Sequence, residues 1–264
     1  MLTTIEIERQ SNVAWVWLSR PDVRNAFDDV MIRELTETFV ALGKDSSVKV
    51  VVLAGRGQSF CAGADLNWMK RMSEYTFEEN RSDAGNLALM LDELYRLPKP
   101  TIARVNGHAF AGGMGLVSAC DIAIASKETQ FCLSEVRIGL IPATIGPYVV
   151  SAMGIRAARR YMMTAERFTA TDAHRFGLVH EVVDIEALDD MVKTFVKHFN
   201  YGGADAHRET KALIEIIDQS ALDQQLINET AIRIARVRAS NEGREGIRSF
   251  LEKRKPSWVG EDEA

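Results

Sequence analysis

Short apolar runs and amphipathic segments alternate along the first two-thirds of this 264-residue chain. Residues 48–54 form a continuous apolar run, which is typical of a strand buried on both faces. Residues 101–105 and 121–125 predict two further strands, and residues 78–97 carry apolar side chains at helical spacing. Because strands alternate with helices, the sequence predicts an α/β layered fold built from repeated strand–strand–helix turns.

The N-terminal part follows the same alternation. Residues 3–9 and 13–19 predict two strands around a short turn. A helix is expected to begin after Asp28, whose side chain suits an N-cap, and to end near Gly43.

The pattern changes after residue 147, where helical spacing dominates and strand signals are few apart from residues 179–183. Helices are predicted at residues 147–163, 169–176, 186–199, 205–219, 221–238 and 241–252. We therefore expect a core domain over residues 1–199 that carries the functional site, followed by a C-terminal helical subdomain over residues 200–264.

The charge balance argues against nucleic-acid binding, because the formal net charge of −5 comes without a basic stripe. Apolar residues make up 46% of the chain, which allows a sizeable core. The 3 cysteines lack the spacing of a metal site or a disulfide framework, so free thiols in a reducing compartment, the cytoplasm, are expected. Neither a signal peptide nor a membrane-spanning run is predicted.

A glycine-containing turn, residues 59–66, follows the buried run at 48–54 and reads Ser-Phe-Cys-Ala-Gly-Ala-Asp-Leu. Small residues from Ala62 to Ala64 let the backbone approach a ligand closely, and a free backbone N–H there can donate to an anionic oxygen. The simpler alternative is a tight turn that only connects two elements, and this segment taken alone favours that alternative.

A second glycine-rich segment, residues 105–116, follows the strand predicted at 101–105. A strand-to-helix junction of small residues presents unpaired N–H groups and the positive end of a helix dipole, which suits an oxyanion. The helical stretch is expected from Leu116 onward, and close helix packing is the alternative reason for the small residues. For His108 a solvent-facing or loop-stabilising role is expected rather than contact with a ligand.

Glu135 is a carboxylate within a largely apolar run, residues 131–142. Burial raises the pKa of a carboxyl group, so that the group exchanges protons near neutral pH. The alternatives for this glutamate are an ion pair with Arg137 or another cation, and a helix-capping role.

These three motifs, in this order and at this spacing, closely resemble the enoyl-CoA hydratase/isomerase (crotonase) superfamily. The segments that carry the resemblance are residues 20–26, 61–66, 106–116, 119–123, 134–142 and 249–256. The resemblance implies an α/β fold, a crotonase-like spiral of ββα units with a C-terminal helical trimerisation region, assembled as a homotrimer or homohexamer. It implies an acyl-CoA substrate and no cofactor beyond the coenzyme A (CoA) of that substrate. The scattered histidines predict no metal site.

The resemblance also implies roles for individual residues. Ala64 and Gly112 would donate their backbone N–H groups to the thioester oxygen as an enolate forms, and Glu135 would move the protons. The implied substrate- and CoA-binding residues are Arg24, Ala26, Ala62, Asp65, Leu66, Asn67, Trp68, Gly113 and Lys253. Within a segment over residues 68–77, Trp68 is expected to line the acyl pocket as part of a mobile lid, to pack within a short helix, or to do both.

One position departs from the pattern of the hydratases. Those enzymes use two glutamates, and Gly115 stands where the first is expected, three residues after Gly112. A single base suffices to move a double bond, so the missing acid favours a Δ3-Δ2-enoyl-CoA isomerase. Residues 133–150 and 67–69 instead resemble hydratases of branched, carboxylated enoyl-CoAs, the methylglutaconyl-CoA and carboxygeranoyl-CoA type.

We therefore predict an enoyl-CoA hydratase, with the isomerase as the alternative. A non-catalytic acyl-CoA-binding or RNA-binding homologue is a third hypothesis. The Glu135 carboxylate disfavours a pure binding protein, and the acidic net charge disfavours RNA.

Overall fold

The computed structural model describes residues 2–260. The strands are β1 (Ile5–Gln10), β2 (Val13–Leu18), β3 (Val50–Gly55), β4 (Thr101–Val105), β5 (Ala109–Phe110), β6 (Ile122–Ser126), β7 (Gln130–Cys132), β8 (Phe168–Thr169) and β9 (Glu181–Val183). The helices are α1 (Asp29–Lys44), α2 (Leu66–Met72), α3 (Phe77–Tyr95), α4 (Gly112–Ala119), α5 (Gly146–Thr164), α6 (Ala170–Arg175), α7 (Leu188–Tyr201), α8 (Ala204–Gln219), α9 (Gln224–Ala239) and α10 (Asn241–Leu251). Short 3₁₀ turns lie at Pro21–Val23, Glu135–Ile138 and Ile185–Ala187.

Six strands form the larger sheet, in the order β1-β2-β3-β4-β6-β9. β1 pairs antiparallel with β2, and the other neighbours in this sheet are parallel. The smaller sheet has the order β5-β7-β8. The apolar runs predicted to be strands at 48–54, 101–105 and 121–125 thus become the neighbours β3, β4 and β6, as the layered α/β prediction requires.

The larger sheet is covered by helices on both faces. Val51 and Leu53 of β3 face the main core, whereas Val50 and Val52 pack with Leu188 of α7. Successive side chains of a strand point to opposite faces, so a strand covered on both faces is apolar throughout. This packing explains why the sequence over residues 48–54 is a continuous apolar run rather than an alternating one.

The first helix begins where the sequence predicts and ends slightly later. The Asp28 side chain accepts a hydrogen bond from the Met31 N–H at 3.0 Å, which is the expected N-cap. The helix then runs through Gly43 to Lys44. Its apolar face packs against α3 and buries Leu35 and Phe39.

The last three helices, α8 to α10, pack on one another. Ion pairs join α8 to the core, from Lys211 to Asp121 at 2.9 Å and from Arg96 to Glu215 at 2.5 Å. The boundary predicted at residue 199 falls in the last turn of α7, and the division into two domains stays a prediction. Among the helices of residues 2–260, none combines the length and apolar character that a membrane crossing needs.

Candidate active site

The first predicted oxyanion donor, Ala64, lies in a loop that pairs with the segment before α1. The Phe27 N–H donates to the Gly63 carbonyl at 2.9 Å, and the Asp65 N–H donates to the Phe27 carbonyl at 2.9 Å. This bridge uses the groups on either side of Ala64, so the Ala64 N–H is directed away from Phe27. Within residues 2–260 it has no acceptor, which leaves it free to bind an anionic oxygen.

The second predicted donor, Gly112, is the first residue of α4 and is buried. First-turn N–H groups have no partner inside a helix, and that of Gly112 has none elsewhere in the described chain. The helix therefore starts four residues before the predicted stretch at Leu116. Ala111, just before it, has φ 47° and ψ −119°, a backbone conformation that a non-glycine residue adopts only at a cost in free energy.

Close packing brings the two donor segments together. A Cβ at Gly112 would overlap the ring of Phe27, the residue that bridges to Ala64. A Cβ at Gly113 would lie 2.6 Å from the Cys61 carbonyl oxygen. Small residues are therefore required here by the approach of α4 to residues 59–66, which we call the oxyanion loop. The packing explanation thus accounts for the glycines of α4, and the ligand-binding explanation stays a prediction.

Arg20, which the sequence analysis did not single out, joins the loop around Asp65 to the segment before α1. Its guanidinium lies 3.0 Å from the Asp65 carboxylate and 3.2 Å from that of Asp28, and it donates to the Ala26 carbonyl at 2.6 Å. The ion pair with Asp65 is largely buried, so this arginine fixes the oxyanion loop against the start of α1. The sequence gives no local signal for this role, because Arg20 and Asp65 lie far apart in the chain.

The Asp65 carboxylate also caps α2, accepting from the N–H groups of Asn67 at 2.8 Å and Trp68 at 3.2 Å. Burial opposes its charged form, but these backbone donors and Arg20 outweigh burial and hold the pKa of Asp65 below its usual value. All of its partners belong to the protein. The side chain therefore stabilises the turn, as the sequence analysis expected.

Glu135 begins a 3₁₀ turn shortly after β7, and its side chain is half-buried. Its Oε2 atom is buried and has no hydrogen-bond partner among residues 2–260. Burial raises the pKa of Glu135, and a hydrogen bond from its own backbone N–H opposes that shift. The pairing proposed with Arg137 does not occur, because Arg137 donates to the Ala165 carbonyl at 2.6 Å. A carboxyl group such as that of Glu135, with a buried unpaired oxygen and a raised pKa, can take up and release a proton.

The position of the missing acid, Gly115, is closed by apolar side chains. A Cβ there would overlap Ile145 and would lie 3.5 Å from Leu91. Both neighbours are buried in the main core. A carboxylate side chain at residue 115 would displace Ile145. The site therefore lacks both the second acid and the space that its side chain would need.

The predicted CoA-binding residues fall into two groups. The loop positions come together, because the Ala62 N–H donates to the Arg24 carbonyl at 3.0 Å and Ala26 adjoins Phe27. Lys253 lies apart, exposed just beyond α10, with its N–H bonded to the Phe250 carbonyl. Among the residues that the structure describes, no hydrogen bond or ion pair joins Lys253 to the oxyanion loop.

The α2 residues differ sharply in exposure. Leu66 is 81% exposed and Asn67 is exposed, whereas Trp68 is only 3% exposed. The Trp68 ring packs 5.8 Å from that of Phe27, and its indole N–H donates to Asp83 at 3.1 Å. Trp68 therefore packs within a short helix, as one of the two alternatives proposed, and a role as a pocket lid stays a prediction.

A cleft of about 420 Å³ lies elsewhere, between the end of α3, α7 and α8. Its lining contains none of the predicted site residues. Among the residues that the structure describes, no group of three or more histidine, cysteine, aspartate or glutamate side chains is placed to hold a metal ion.

Comparison with known proteins identifies the family. A family model described as enoyl-CoA hydratase/isomerase matches residues 8–261. A solved enoyl-CoA hydratase from Shewanella pealeana is 42% identical, with a TM-score of 0.95 over 97% of this chain and 96% of that chain. Mitochondrial enoyl-CoA hydratase of Pongo abelii is 31% identical over 95% of this chain and 84% of its own length. The 1,2-epoxyphenylacetyl-CoA isomerase of Escherichia coli is 30% identical over 95% and 96%.

These matches confirm the predicted crotonase-like α/β fold and the prediction of an enzyme. The chain belongs to the enoyl-CoA hydratase/isomerase family.

Proposed function

We propose that this enzyme adds water across the 2,3 double bond of an acyl-CoA thioester through an enolate intermediate. The observation that carries the proposal is the half-buried side chain of Glu135, whose Oε2 atom is buried without a hydrogen-bond partner among the described residues and whose pKa is raised by burial. The Ala111 N–H, next to the second proposed donor, donates to the carbonyl of Cys132, three residues before Glu135, at 2.8 Å, and this hydrogen bond supports a position of Glu135 near that donor. Two free N–H groups and one proton-transfer group are what such a reaction requires.

In this proposal the N–H groups of Ala64 and Gly112 bind the thioester carbonyl oxygen. Glu135 takes a proton from water, and the hydroxyl oxygen forms a bond to Cβ. The electron pair of the double bond moves to Cα and the carbonyl, so that negative charge develops on the bound oxygen. The proton held by Glu135 then passes to Cα and restores the carboxylate.

The acyl group in this proposal is branched or carboxylated, of the methylglutaconyl-CoA type. Its support is the resemblance of residues 133–150 and 67–69 to that hydratase group. In this proposal neither a metal nor a cofactor enters the reaction, since the one base and the two donors come from the chain and CoA is part of the substrate.

One observation favours a second candidate, a Δ3-Δ2-enoyl-CoA isomerase. The space beside Gly115 is occupied by Ile145, so one carboxylate has to serve the reaction alone. Moving a double bond needs one group that removes a proton at one carbon and returns it at another. Glu135 meets that requirement without a partner acid.

A panel of CoA esters separates these reactions. Branched and linear 2-enoyl-CoAs are assayed for hydration, and the matched 3-enoyl-CoAs for double-bond migration, with products identified by mass spectrometry. We expect hydration of the branched 2-enoyl esters to be fastest. Turnover of 3-enoyl esters without hydration of any 2-enoyl ester would replace the hydratase with the isomerase, and conversion of neither class would overturn both.

We also propose a homotrimer or homohexamer in a reducing compartment such as the cytoplasm, with no nucleic-acid partner. The support for assembly is the apolar surface of α10, where Phe250 is 81% and Leu251 is 73% exposed. Exposed apolar side chains of this size are typical of a protein–protein interface. Light scattering coupled to size-exclusion chromatography measures the state directly, and a monomer at micromolar concentration would contradict the proposal.

A further inference from the structure

Phe27 contacts the segments of both proposed oxyanion donors, one through its backbone and the other through its ring. Its N–H donates to the Gly63 carbonyl at 2.9 Å, and its carbonyl accepts from the Asp65 N–H at 2.9 Å. These two hydrogen bonds flank Ala64 and form a parallel bridge between it and Phe27. Because the bridge fixes the spacing of the paired segments, Ala64 follows any displacement of the Phe27 backbone.

The ring of Phe27 lies against the second donor. A Cβ at Gly112 would lie 2.1 Å from the Cζ atom of that ring and 2.6 Å from its Cε1 atom. The tip of the ring therefore contacts the Gly112 backbone directly. Phe27 is only 2% exposed, and a close-packed interior gives such a ring little room to shift. The length of this one side chain thus separates the segment of Ala64 from that of Gly112.

Trp68 packs against the Phe27 ring from α2. The ring centroids are 5.8 Å apart and the ring planes are tilted by 56°, an arrangement that aromatic pairs favour over a face-to-face stack. Trp68 is 3% exposed, and its backbone N–H donates to the Asp65 carboxylate at 3.2 Å. Because both rings are buried and in contact, a shift of Trp68 changes the space that the Phe27 ring occupies.

Asp83, on α3, accepts the hydrogen bond that fixes the Trp68 ring. The indole N–H donates to Oδ1 of Asp83 at 3.1 Å. Within residues 2–260 this is the one hydrogen bond that the structure gives the Asp83 carboxylate. A buried indole N–H needs an acceptor, and a carboxylate is a strong one. The chain of contacts therefore runs from Asp83 through Trp68 and Phe27 to Gly112.

We propose that Phe27 is a positioning residue that sets the separation of the two oxyanion donors. The hydrogen bond from Trp68 to Asp83 holds the Phe27 ring in place. The inference rests on the proposed function, because this separation matters only if the N–H groups of Ala64 and Gly112 bind the thioester oxygen. Oxyanion stabilisation depends on donors placed in advance, and a misplacement of about 1 Å can cost about 10²-fold in rate.

The first test compares Phe27→Ala with Phe27→Leu and with Phe39→Ala, using the 2-enoyl-CoA that wild type converts fastest. Phe27→Ala removes the spacer, so kcat per folded enzyme should fall about 10- to 100-fold while KM changes by less than about threefold. Phe27→Leu refills part of the space and should recover part of that loss. Phe39→Ala removes another buried ring, between α1 and α3, and should keep kcat per folded enzyme near wild type. Equal kcat for the two alanine variants would overturn the proposal.

The second test acts at Asp83, which is half-buried and lies far less deep in the core than Phe27. Asp83→Leu removes the acceptor and Trp68→Phe removes the donor, so each should lower kcat about 3- to 10-fold. The double variant should lose no more than either single variant, because both changes break the same hydrogen bond. Asp83→Asn keeps an oxygen that accepts from the indole N–H and should behave as wild type. Additive losses in the double variant would contradict the role of this hydrogen bond.

A third measurement reads the donors without turnover. 3-Methylbutanoyl-CoA, a saturated ester that cannot be hydrated, is labelled with ¹³C at its carbonyl and bound to each protein for isotope-edited infrared spectroscopy. Two aligned N–H donors polarise the carbonyl and lower its stretching frequency relative to the ester in buffer. We expect this shift in wild type, Phe39→Ala and Asp83→Asn, and the loss of most of it in Phe27→Ala and Asp83→Leu.

The infrared band also separates the failure of this inference from the failure of the proposed function. The full shift in both Phe27→Ala and Asp83→Leu would overturn the positioning role of Phe27 and leave the oxyanion donors standing. No shift in wild type with bound ester would instead remove the oxyanion site of the proposed function, and the positioning role with it.

Discussion

Glu135 and Gly115 occupy the two positions where hydratases of this family carry carboxylates, and their surroundings differ in kind. Glu135 is half-buried, and its Oε2 atom is buried without a hydrogen-bond partner among residues 2–260. At Gly115 the corresponding space is occupied by Ile145, with Leu91 close by. One side of the proposed site can therefore exchange protons, and the other can only contact apolar atoms.

The comparison shows that the two halves of the proposed chemistry are separable. In the proposed mechanism, stabilisation of the enolate depends on the backbone N–H groups of Ala64 and Gly112, which the missing acid does not affect. Proton transfer in that mechanism depends on Glu135 alone, which has to serve both steps of a hydration. The absence of the second acid is therefore expected to affect which reaction the enzyme catalyses far more than which intermediate it forms.

The largest expected effect comes from replacing Glu135, which carries the carboxylate in this comparison. Glu135→Gln keeps the shape of the side chain but cannot take up a proton, so turnover should fall by about 10²- to 10⁴-fold. Binding of the CoA ester, measured calorimetrically, should change little. Glu128→Gln, at an exposed position in the turn between β6 and β7, is the control and should behave as wild type. Turnover of Glu135→Gln near the wild-type rate would remove Glu135 from the mechanism.

A second large effect is expected at the donor that both reactions share. Gly112→Ala places a methyl group against the Phe27 ring and displaces the bridge to Ala64, so both donors lose their alignment. Loss of an oxyanion donor typically costs about 10²- to 10³-fold in kcat. Gly146→Ala is the matched control, because a Cβ there meets no atom within 4 Å. Equal kcat for Gly112→Ala and Gly146→Ala would show that the close contact between Gly112 and Phe27 does not hold the donors in alignment.

The apolar surroundings of Gly115 can be tested by introducing the missing acid at that position. Gly115→Glu alone should destabilise the protein by about 1–3 kcal/mol, because the side chain overlaps Ile145. Adding Ile145→Ala makes room for the carboxylate. Chemical denaturation should show recovery in the double variant relative to Gly115→Glu, and the CoA-ester panel should show more hydration relative to isomerisation. A double variant no more stable than Gly115→Glu would contradict the assigned role of Ile145.

The raised pKa of Glu135 predicts how stability depends on pH. A carboxyl group with a higher pKa in the folded than in the unfolded protein binds its proton more tightly when folded. Its contribution to the free energy of unfolding is complete below the ordinary carboxyl pKa and is lost as pH rises toward the raised value. Glu135→Gln lacks this titration, so its melting temperature relative to wild type should increase from about pH 4 to neutral pH. A difference that does not vary with pH would argue against a raised pKa.

The smallest expected effect concerns the backbone at the start of α4. Ala111 has φ 47° and ψ −119°, where glycine is strained far less than alanine. Ala111→Gly relieves this strain but adds backbone freedom to the unfolded chain, so the free energy of unfolding should rise by at most about 1 kcal/mol. A marked loss of stability in thermal unfolding would show that the alanine methyl group contributes packing that outweighs the strain.

The elements that the sequence predicted well are those fixed by local patterns. The buried strand β3 follows from its apolar run, and α1 follows from its Asp28 cap. The start of α4 could not be predicted in the same way, because glycines are poor helix formers. Those glycines are selected instead by the approach of the helix to Phe27 and Cys61.

The site residues that sequence reasoning missed depend on contacts between distant segments. Ile145 fills the space beside Gly115 from thirty residues away, and Arg20 reaches Asp65 across forty-five. Neither of these contacts has a signature in a single sequence.

Proton transfer at Cα tests the central claim most directly. Wild type and Glu135→Gln are incubated in D2O with the 2-enoyl-CoA that wild type converts fastest, and deuterium at Cα of the product is followed by proton NMR. We predict a 3-hydroxyacyl-CoA product that carries deuterium at Cα, formed by wild type and slowed at least a hundredfold by Glu135→Gln. Formation of the same deuterated product at equal rates by both proteins would contradict the assignment of Glu135 as the group that delivers the proton.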